Sequence, residues 1–298
     1  MRAFVTGASG FVGSHVADRL GDCVGLVRDG RSSGWLDHAL SAATLVRGDV
    51  RDERLLRRAF AEYAVDTVFH TAAVSVVASA SRDPWGAFST NVMGTAAVME
   101  AARAAGVKKV VVLSTDKLFG EGLAKPPDAP YVVGEPYASS KVAQDILSAS
   151  YALTYGMGVV RVRSCNAYGL DRSPRIVPNT VRAALAGASP LVFEGEATKR
   201  QYVYIADLVD ALVQAASLPS GAVNVATDDV LTQEEVVRRI LAVPGFEGLA
   251  PAYVRRERPL EIASQSLAPS DFGWSPRHGF DEGIRKTVEL FRRYGPCP

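Results

Sequence analysis

The sequence predicts an α/β protein, a doubly wound parallel sheet followed by a smaller C-terminal α/β domain. Short β-branched runs alternate with longer amphipathic stretches through the first half of the chain, and the first run enters a glycine-rich turn. After about Ser164 the texture changes to longer loops rich in Pro, Arg and Gly. Strand followed by helix, repeated, requires right-handed crossovers and hence parallel strands.

In chain order, residues 2–6, 23–28, 44–47 and 67–70 read as strands, and residues 11–20, 53–61 and 85–105 as helices. Residues 109–114 are nearly all Val and Leu, the pattern of a strand covered on both faces. A helix over about 136–155 then leads into a strand at 159–162. The Pro-rich KPPDAP at 125–130 marks a loop. Later helical patterns fall near 176–186, 206–216, 232–242 and 281–294. This places one domain at 1–164 and a second at 165–298, with part of about 201–226 expected to return to the first sheet, because residues 222–226 read as another buried strand.

At 298 residues and 48% hydrophobic content the chain can bury a sizeable core. Its 33 Lys and Arg nearly cancel 32 Asp and Glu, so the net charge of +1 supplies no broad field for nucleic acid or an anionic membrane. Any anionic ligand must be held locally. Cys23, Cys165 and Cys297 lack the spacing of a zinc site or a disulfide framework, so no metal is expected and a reducing cytoplasm fits. The opening MRAFVTGASGFVG reads as strand and turn, not as a targeting or membrane-spanning segment.

Gly7, Gly10 and Gly13 sit between the first strand and first helix, where a dinucleotide site needs a tight turn, a close approach of backbone to pyrophosphate, and close packing of helix on sheet. Phe11 and Val12 complete that turn, and the helix N-terminus faces the phosphates. The domain is therefore expected to be a Rossmann domain. The second strand ends in Arg28 and Asp29. Asp29 suits the ribose hydroxyls of NAD and Arg28 the extra phosphate of NADP, so the pair leaves both open with a lean to NAD. Asp49 and Val50 follow the third strand, where a carboxylate can accept from the adenine amino group and the adjacent backbone can read the ring edge.

Tyr137 and Lys141 stand four apart in a helical stretch, which stacks them on one face. A lysine ammonium near a phenol favours the phenolate, and the tyrosine can then accept a hydroxyl proton while hydride leaves the same carbon.

With these pieces in order, the chain resembles the extended short-chain dehydrogenase/reductase family, in particular its nucleotide-sugar epimerases and dehydratases, over nearly its whole length. Further matches are His70-Thr71-Ala72-Ala73, Asn91-Val92-Met93-Gly94-Thr95, the RSCNAYG of 163–169 and the RQYVYIAD of 200–207. The resemblance implies cofactor contacts from Thr71, Ala72, Ala73 and Asn91 as well as from Tyr137 and Lys141. It also implies a homodimer that pairs the helices of 85–105 and 136–155.

In Ser114-Thr115-Asp116-Lys117-Leu118-Phe119-Gly120 the resemblance makes Thr115 the residue that hydrogen-bonds the reacting oxygen. Epimerases of the family carry small or neutral residues next, whereas 4,6-dehydratases carry an acid-base pair. That chemistry oxidises C4 of an NDP-hexose, which acidifies the C5 proton. A base at C5 and an acid at C6 eliminate water, and hydride returns to C6. Asp116 is then the acid and Lys117 the base, a pairing similar to that of CDP-glucose dehydratases, and the long Lys117-to-Tyr137 gap favours that type. Asn166, Arg175, Arg200 and Arg258 lie in segments that resemble the family's diphosphate and ribose contacts, and arginines can engage phosphates bidentately. Two other readings stay open: a nucleotide-sugar 4-epimerase or 4-keto reductase on the same scaffold, and an inactive dinucleotide-binding module.

Overall fold

A computed structural model describes residues 1–28, 34–255 and 264–295. Seven parallel strands form the main sheet. In chain order the first five are β1 (Ala3–Thr6), β2 (Val24–Val27), β3 (Thr44–Arg47), β4 (Thr67–His70) and β5 (Lys109–Thr115). A short strand, β6 (Gly122–Lys125), leaves this sheet before β7 (Val159–Ser164) rejoins it. Strands β8 (Asn166–Tyr168), β9 (Leu191–Phe193) and β10 (Lys199–Tyr204) build outside it, and β11 (Gly221–Val225) returns to pair with β7, Val223 opposite Val162. The order β11-β7-β5-β4-β1-β2-β3 reverses direction between β1 and β4, the place in such sheets where ligands bind beyond the carboxyl ends.

Strands β1, β2 and β4 are buried at every position, as expected for strands covered by helices on both faces. Those helices are α1 (Phe11–Leu20), α2 (Gly34–Ala39), α3 (Glu53–Glu62), α4 (Val77–Arg82), α5 (Pro84–Phe88), α6 (Gly94–Ala105) and α7 (Pro136–Tyr155). Of the two larger core clusters, one joins Phe4, Phe60, Val68 and Met99, and the second joins Phe69, Val162, Leu212 and Phe291 and continues into the C-terminal half.

Local chemistry fixes the helix starts. Asp52 caps α3 by accepting from Leu55 N at 3.0 Å. Pro136 begins α7, and the Glu135 carboxylate in front of it accepts from the N–H groups of Tyr137 and Ala138, which sets the entry angle of the helix that carries Tyr137 and Lys141.

The single helix expected over 85–105 is instead α5, a π-helical turn at Ser89–Met93, and α6. The wider turn is closed by Gly94 N–H donating to the Ser89 carbonyl, five residues back. It leaves the Asn91 carbonyl to accept from the Thr95 hydroxyl at 2.6 Å.

The C-terminal half adds α8 (Ile176–Leu185), α9 (Ile205–Ala215), α10 (Gln233–Leu241) and α11 (Phe280–Tyr294), with strands β12 (Val230–Thr232), β13 (Ala252–Val254) and β14 (Gln265–Leu267). A second sheet runs β12-β10-β14-β6 with β8 also on β10, and β9 pairs with β13. Strand β6 comes from the segment ahead of KPPDAP, so this sheet is stitched from both halves of the sequence. Among the described residues no helix is long and apolar enough to cross a membrane.

Candidate active site

A cleft of about 580 Å³ lies beyond the carboxyl ends of β1, β4 and β5. It gathers Gly7, Gly10, Phe11, Val12 and Gly13 from the first turn, then Thr71, Ala72 and Ala73 after β4 and Thr115, Asp116 and Lys117 at the end of β5. Tyr137 and Lys141 of α7 line it too, as do Asn166, Arg175 and Arg200 from the C-terminal half.

The turn has the shape of a phosphate cradle. Gly7 has φ +68°, and a Cβ there would stand 2.8 Å from the Ala72 Cα; a Cβ on Gly13 would stand 2.1 Å from the Gly7 carbonyl oxygen. Only glycine lets the strand, the turn and α1 approach this closely. Helix α1 starts at Gly10 with no side-chain cap, so its first-turn N–H groups face the cleft at the positive end of the helix dipole. The residues present therefore fit a dinucleotide pyrophosphate.

Thr115, Asp116, Tyr137 and Lys141 are all buried. The Thr115 hydroxyl donates to Asp116 Oδ1 at 2.9 Å. Burial pushes the Tyr137 phenol up, and the Arg175 guanidinium pulls it back only in part. The Arg175 guanidinium thus adds to the cations available to this tyrosine, beside Lys141 one helical turn away. Burial depresses Lys141 to about 7 against the raising influence of Asp145, and its Nζ donates to the Leu113 carbonyl at 2.7 Å and to the Gln144 side-chain oxygen.

Asp116 is 2% exposed, and its Oδ2 has no hydrogen-bond partner among the described residues. Lys117 Nζ stands 3.5 Å from Asp116 Oδ1 and donates to Gln265 Oε1 at 3.3 Å. The Gln265 amide in turn donates to the Asp116 and Gly120 carbonyls at 2.9 and 2.8 Å, which fixes the turn after β5. No local spacing points to Gln265, because it is 149 residues from Asp116 and arrives through the pairing of β14 with β6.

Arg175 donates to the Ser75 carbonyl and hydroxyl, each at 3.2 Å, and so spans the cleft mouth from α8 to the loop after β4. Asn166 donates to the Gln201 carbonyl at 3.0 Å and Arg200 to the Lys199 carbonyl at 2.9 Å, both in the cleft lining.

Four residues expected at the cofactor do not line this cleft. Asn91 does not line the cleft: it is fully buried, its amide nitrogen donates to the Val74 carbonyl and the Ser140 hydroxyl, and its oxygen accepts from Val74 N. It shapes the loop that carries Ala73 and Ser75. Asp49 has both oxygens on Arg51, at 2.8 and 2.7 Å, and Val50 packs against Gly94; neither lines the cleft. Arg28 is exposed beside Asp49 and outside the cleft lining, adding to the charges that hold the Asp49 carboxyl low. Asp29 and Arg258 lie outside the described residues.

Residues 3–226 match the model of the NAD dependent epimerase/dehydratase family. Over 98% of this chain and 99% of the relative, the sequence is 34% identical to a UDP-glucose 4-epimerase of Mycolicibacterium smegmatis. It is 30% identical to a dTDP-glucose 4,6-dehydratase of Streptomyces antibioticus, over 98% and 92%. The fold superposes with a TM-score of 0.87 on the UDP-glucose 4-epimerase of Thermus thermophilus solved with NAD, 30% identical over 98% of this chain and 99% of that one. Glycine turn, buried Tyr137/Lys141 pair and full-length similarity converge: the chain belongs to the NAD-dependent epimerase/dehydratase family of nucleotide-sugar enzymes.

Proposed function

We propose that the protein is an NDP-hexose 4,6-dehydratase. The observation that carries this reading is the Asp116–Lys117 pair inside the cleft, with a buried Asp116 oxygen that has no partner among the described residues. A buried carboxylate oxygen without a partner is costly, and a site for a substrate hydroxyl gives it a purpose.

The residues divide the work. A bound NAD supplies the two-electron acceptor that takes hydride from the sugar and gives it back. The glycine turn and the N-terminus of α1 hold its pyrophosphate. Tyr137 takes the C4 hydroxyl proton, and the Arg175 cation lowers the cost of the phenolate. The neutral amine form of Lys117 takes the C5 proton and the carboxylic acid form of Asp116 gives its proton to the departing C6 hydroxyl, so that one water leaves and the pair is left as ammonium and carboxylate. Arg175 and Arg200 supply charge for a nucleoside diphosphate.

A 4-epimerase is the second reading, favoured by the 34% identity to the mycobacterial UDP-glucose 4-epimerase; Asp116 and Lys117 then form a structural ion pair. Incubation with NAD and a panel of CDP-, UDP-, GDP- and dTDP-hexoses, CDP-glucose first, separates the two by mass spectrometry. Loss of one water supports the dehydratase, and an unchanged mass with a new retention time supports the epimerase.

A homodimer through α5–α6 and α7 is part of this reading, supported by Trp85, Met93, Ile146 and Leu153 at 83, 61, 50 and 88% exposure. Light scattering that returns a monomer overturns it. A reducing cytoplasm suits Cys23 and Cys165, both buried free thiols.

A further inference from the structure

We propose that Gln144 is a positioning residue for Lys141, and that a buried chain through Thr6, His70, Thr95 and Gln144 ties the lysine to the turn that receives the dinucleotide. This rests on the proposed cofactor site and adds to it a group that touches neither cofactor nor sugar.

Hydrogen-bond donors and acceptors along this chain admit one arrangement. Thr95 Oγ1 lies 2.6 Å from the Asn91 carbonyl, which can only accept, so the hydroxyl proton is spent there. Its lone pairs must then accept from the two remaining neighbours, Gln144 Nε2 and His70 Nε2, each at 2.8 Å. His70 therefore carries its proton on Nε2, and Nδ1 accepts from the Thr6 hydroxyl at 2.8 Å. Thr6 Oγ1 in turn accepts from Thr71 N and Ala72 N at 3.2 Å each. At the other end the orientation forced on Gln144 presents its oxygen to the Lys141 ammonium, a group with donors only. Thr6, His70 and Thr95 are fully buried and Gln144 is 1% exposed, so water does not substitute for a missing link.

One end of the chain is thus the backbone of Thr71 and Ala72, both in the cleft lining, Ala72 packed on Gly7 and Thr71 on Gly13; the other is the lysine. Leu113 O and Gln144 Oε1 take two of the three Lys141 donors and leave the third for the cleft. Charged and titratable groups around Lys141 are His70 from β4, Tyr137 and Asp145 on its own helix, Arg161 and Arg163 of β7 against Asp145, and Asp116 and Lys117 after β5. None of the others accepts a hydrogen bond from its Nζ among the bonds described above.

The test reads NADH binding by fluorescence from pH 5.5 to 9 in wild type, Gln144→Met, Gln144→Glu, Thr95→Val and Thr95→Ser. Wild type is expected to show an inflection near the Lys141 value of about 7. Gln144→Met removes the neutral acceptor and moves the inflection about one unit to acid, the size of one charge-assisted hydrogen bond. Gln144→Glu keeps an acceptor, adds charge and moves it to alkali. Thr95→Val shifts it in the direction of Gln144→Met, and Thr95→Ser, which keeps the hydroxyl, restores it. The same inflection in wild type and both Gln144 variants overturns the proposal, and if Gln144→Met fails to fold, an unshifted Gln144→Glu or Thr95→Val does so alone. Absence of NADH binding by wild type instead overturns the cofactor reading on which the proposal stands.

Discussion

Lys117 Nζ stands 3.5 Å from Asp116 Oδ1, while Asp116 Oδ2 is buried with no partner among the described residues. A pair that existed only to stabilise the strand end would spend both carboxylate oxygens. Asp116→Asn keeps the volume and removes the acid. It is expected to lower the rate of water elimination by about 10²- to 10³-fold, the range for one general acid, with NADH binding unchanged. Product analysis by mass spectrometry reads the first and fluorescence titration the second. Unimpaired turnover of the variant would leave the epimerase reading.

Tyr137 is held up by burial and eased by Arg175, so the two can be separated by pH. Activity that needs the phenolate rises with pH through the tyrosine pKa. Arg175→Gln removes the cation that lowers that pKa, and the rising limb of kcat/KM is expected to move to alkali by up to about one unit. Tyr137→Phe lowers kcat by about 10²-fold or more across the whole range. An unmoved limb in Arg175→Gln would mean that the guanidinium serves only the diphosphate.

What the sequence made legible follows its range of interaction. Gly7, Gly10 and Gly13, or Tyr137 and Lys141, are close in the chain, and turn geometry or helical period fixes their relation at once. Gln144 was equally near, at i+3 from Lys141, but a lone glutamine carries no period; its role needed Thr95 and His70 brought in from α6 and β4. The π-turn at Ser89–Met93 was hidden because apolar spacing over 85–105 suits an uninterrupted helix. Gln265 was hidden for a topological reason, since β14 reaches the site only by pairing with β6 and β10. Asp49 has the expected place after the third strand, and the structure adds what spacing does not give, a neighbouring Arg51 that binds both of its oxygens.

The loop after β6 is fastened by ions. Asp145, fully buried, accepts from Arg163 Nη2 at 2.8 Å and Arg161 Nη1 at 2.9 Å, and Arg163 also donates to the Tyr131 hydroxyl at 2.9 Å and to the Pro127 carbonyl. Burial pushes the Asp145 carboxyl up, but the Arg163 hydrogen bond and the two guanidinium charges outweigh it and hold the group below its ordinary value. Asp145→Asn leaves two cations near the core with no counter-charge, and a loss of about 3–5 kcal/mol is expected, measured by urea denaturation. Increased proteolysis within 126–134 should accompany it, because Pro127 and Tyr131 are the anchors of that segment. A loss under about 1 kcal/mol would mean that water replaces the carboxylate charge.

Two buried histidines set the acid limit of the fold. His15 is depressed to about 4 by burial, against the raising effect of its hydrogen bond to the Leu170 backbone, and His70 to about 3 by burial and the Lys141 charge. Both folded values lie below the ordinary 6.5, so between them the unfolded chain binds the extra protons. Stability is therefore full above about pH 6.5 and falls as the pH drops through the window toward 4 and then 3. His15 lies against the Trp35 ring, with centroids 4.4 Å apart, and its Nε2 has no partner, so a phenyl ring can take its place. His15→Phe is expected to flatten the acid slope by about 3 kcal/mol over the window, at about 1.4 kcal/mol per unit, while loss of the hydrogen bond to the Leu170 backbone lowers stability at pH 7.5 by about 1–3 kcal/mol. Thermal unfolding from pH 4.5 to 7.5 checks it. An unchanged slope in the variant would place the acid sensitivity on His70, whose hydrogen bonds to Thr6 and Thr95 leave no second acceptor for a proton on Nδ1.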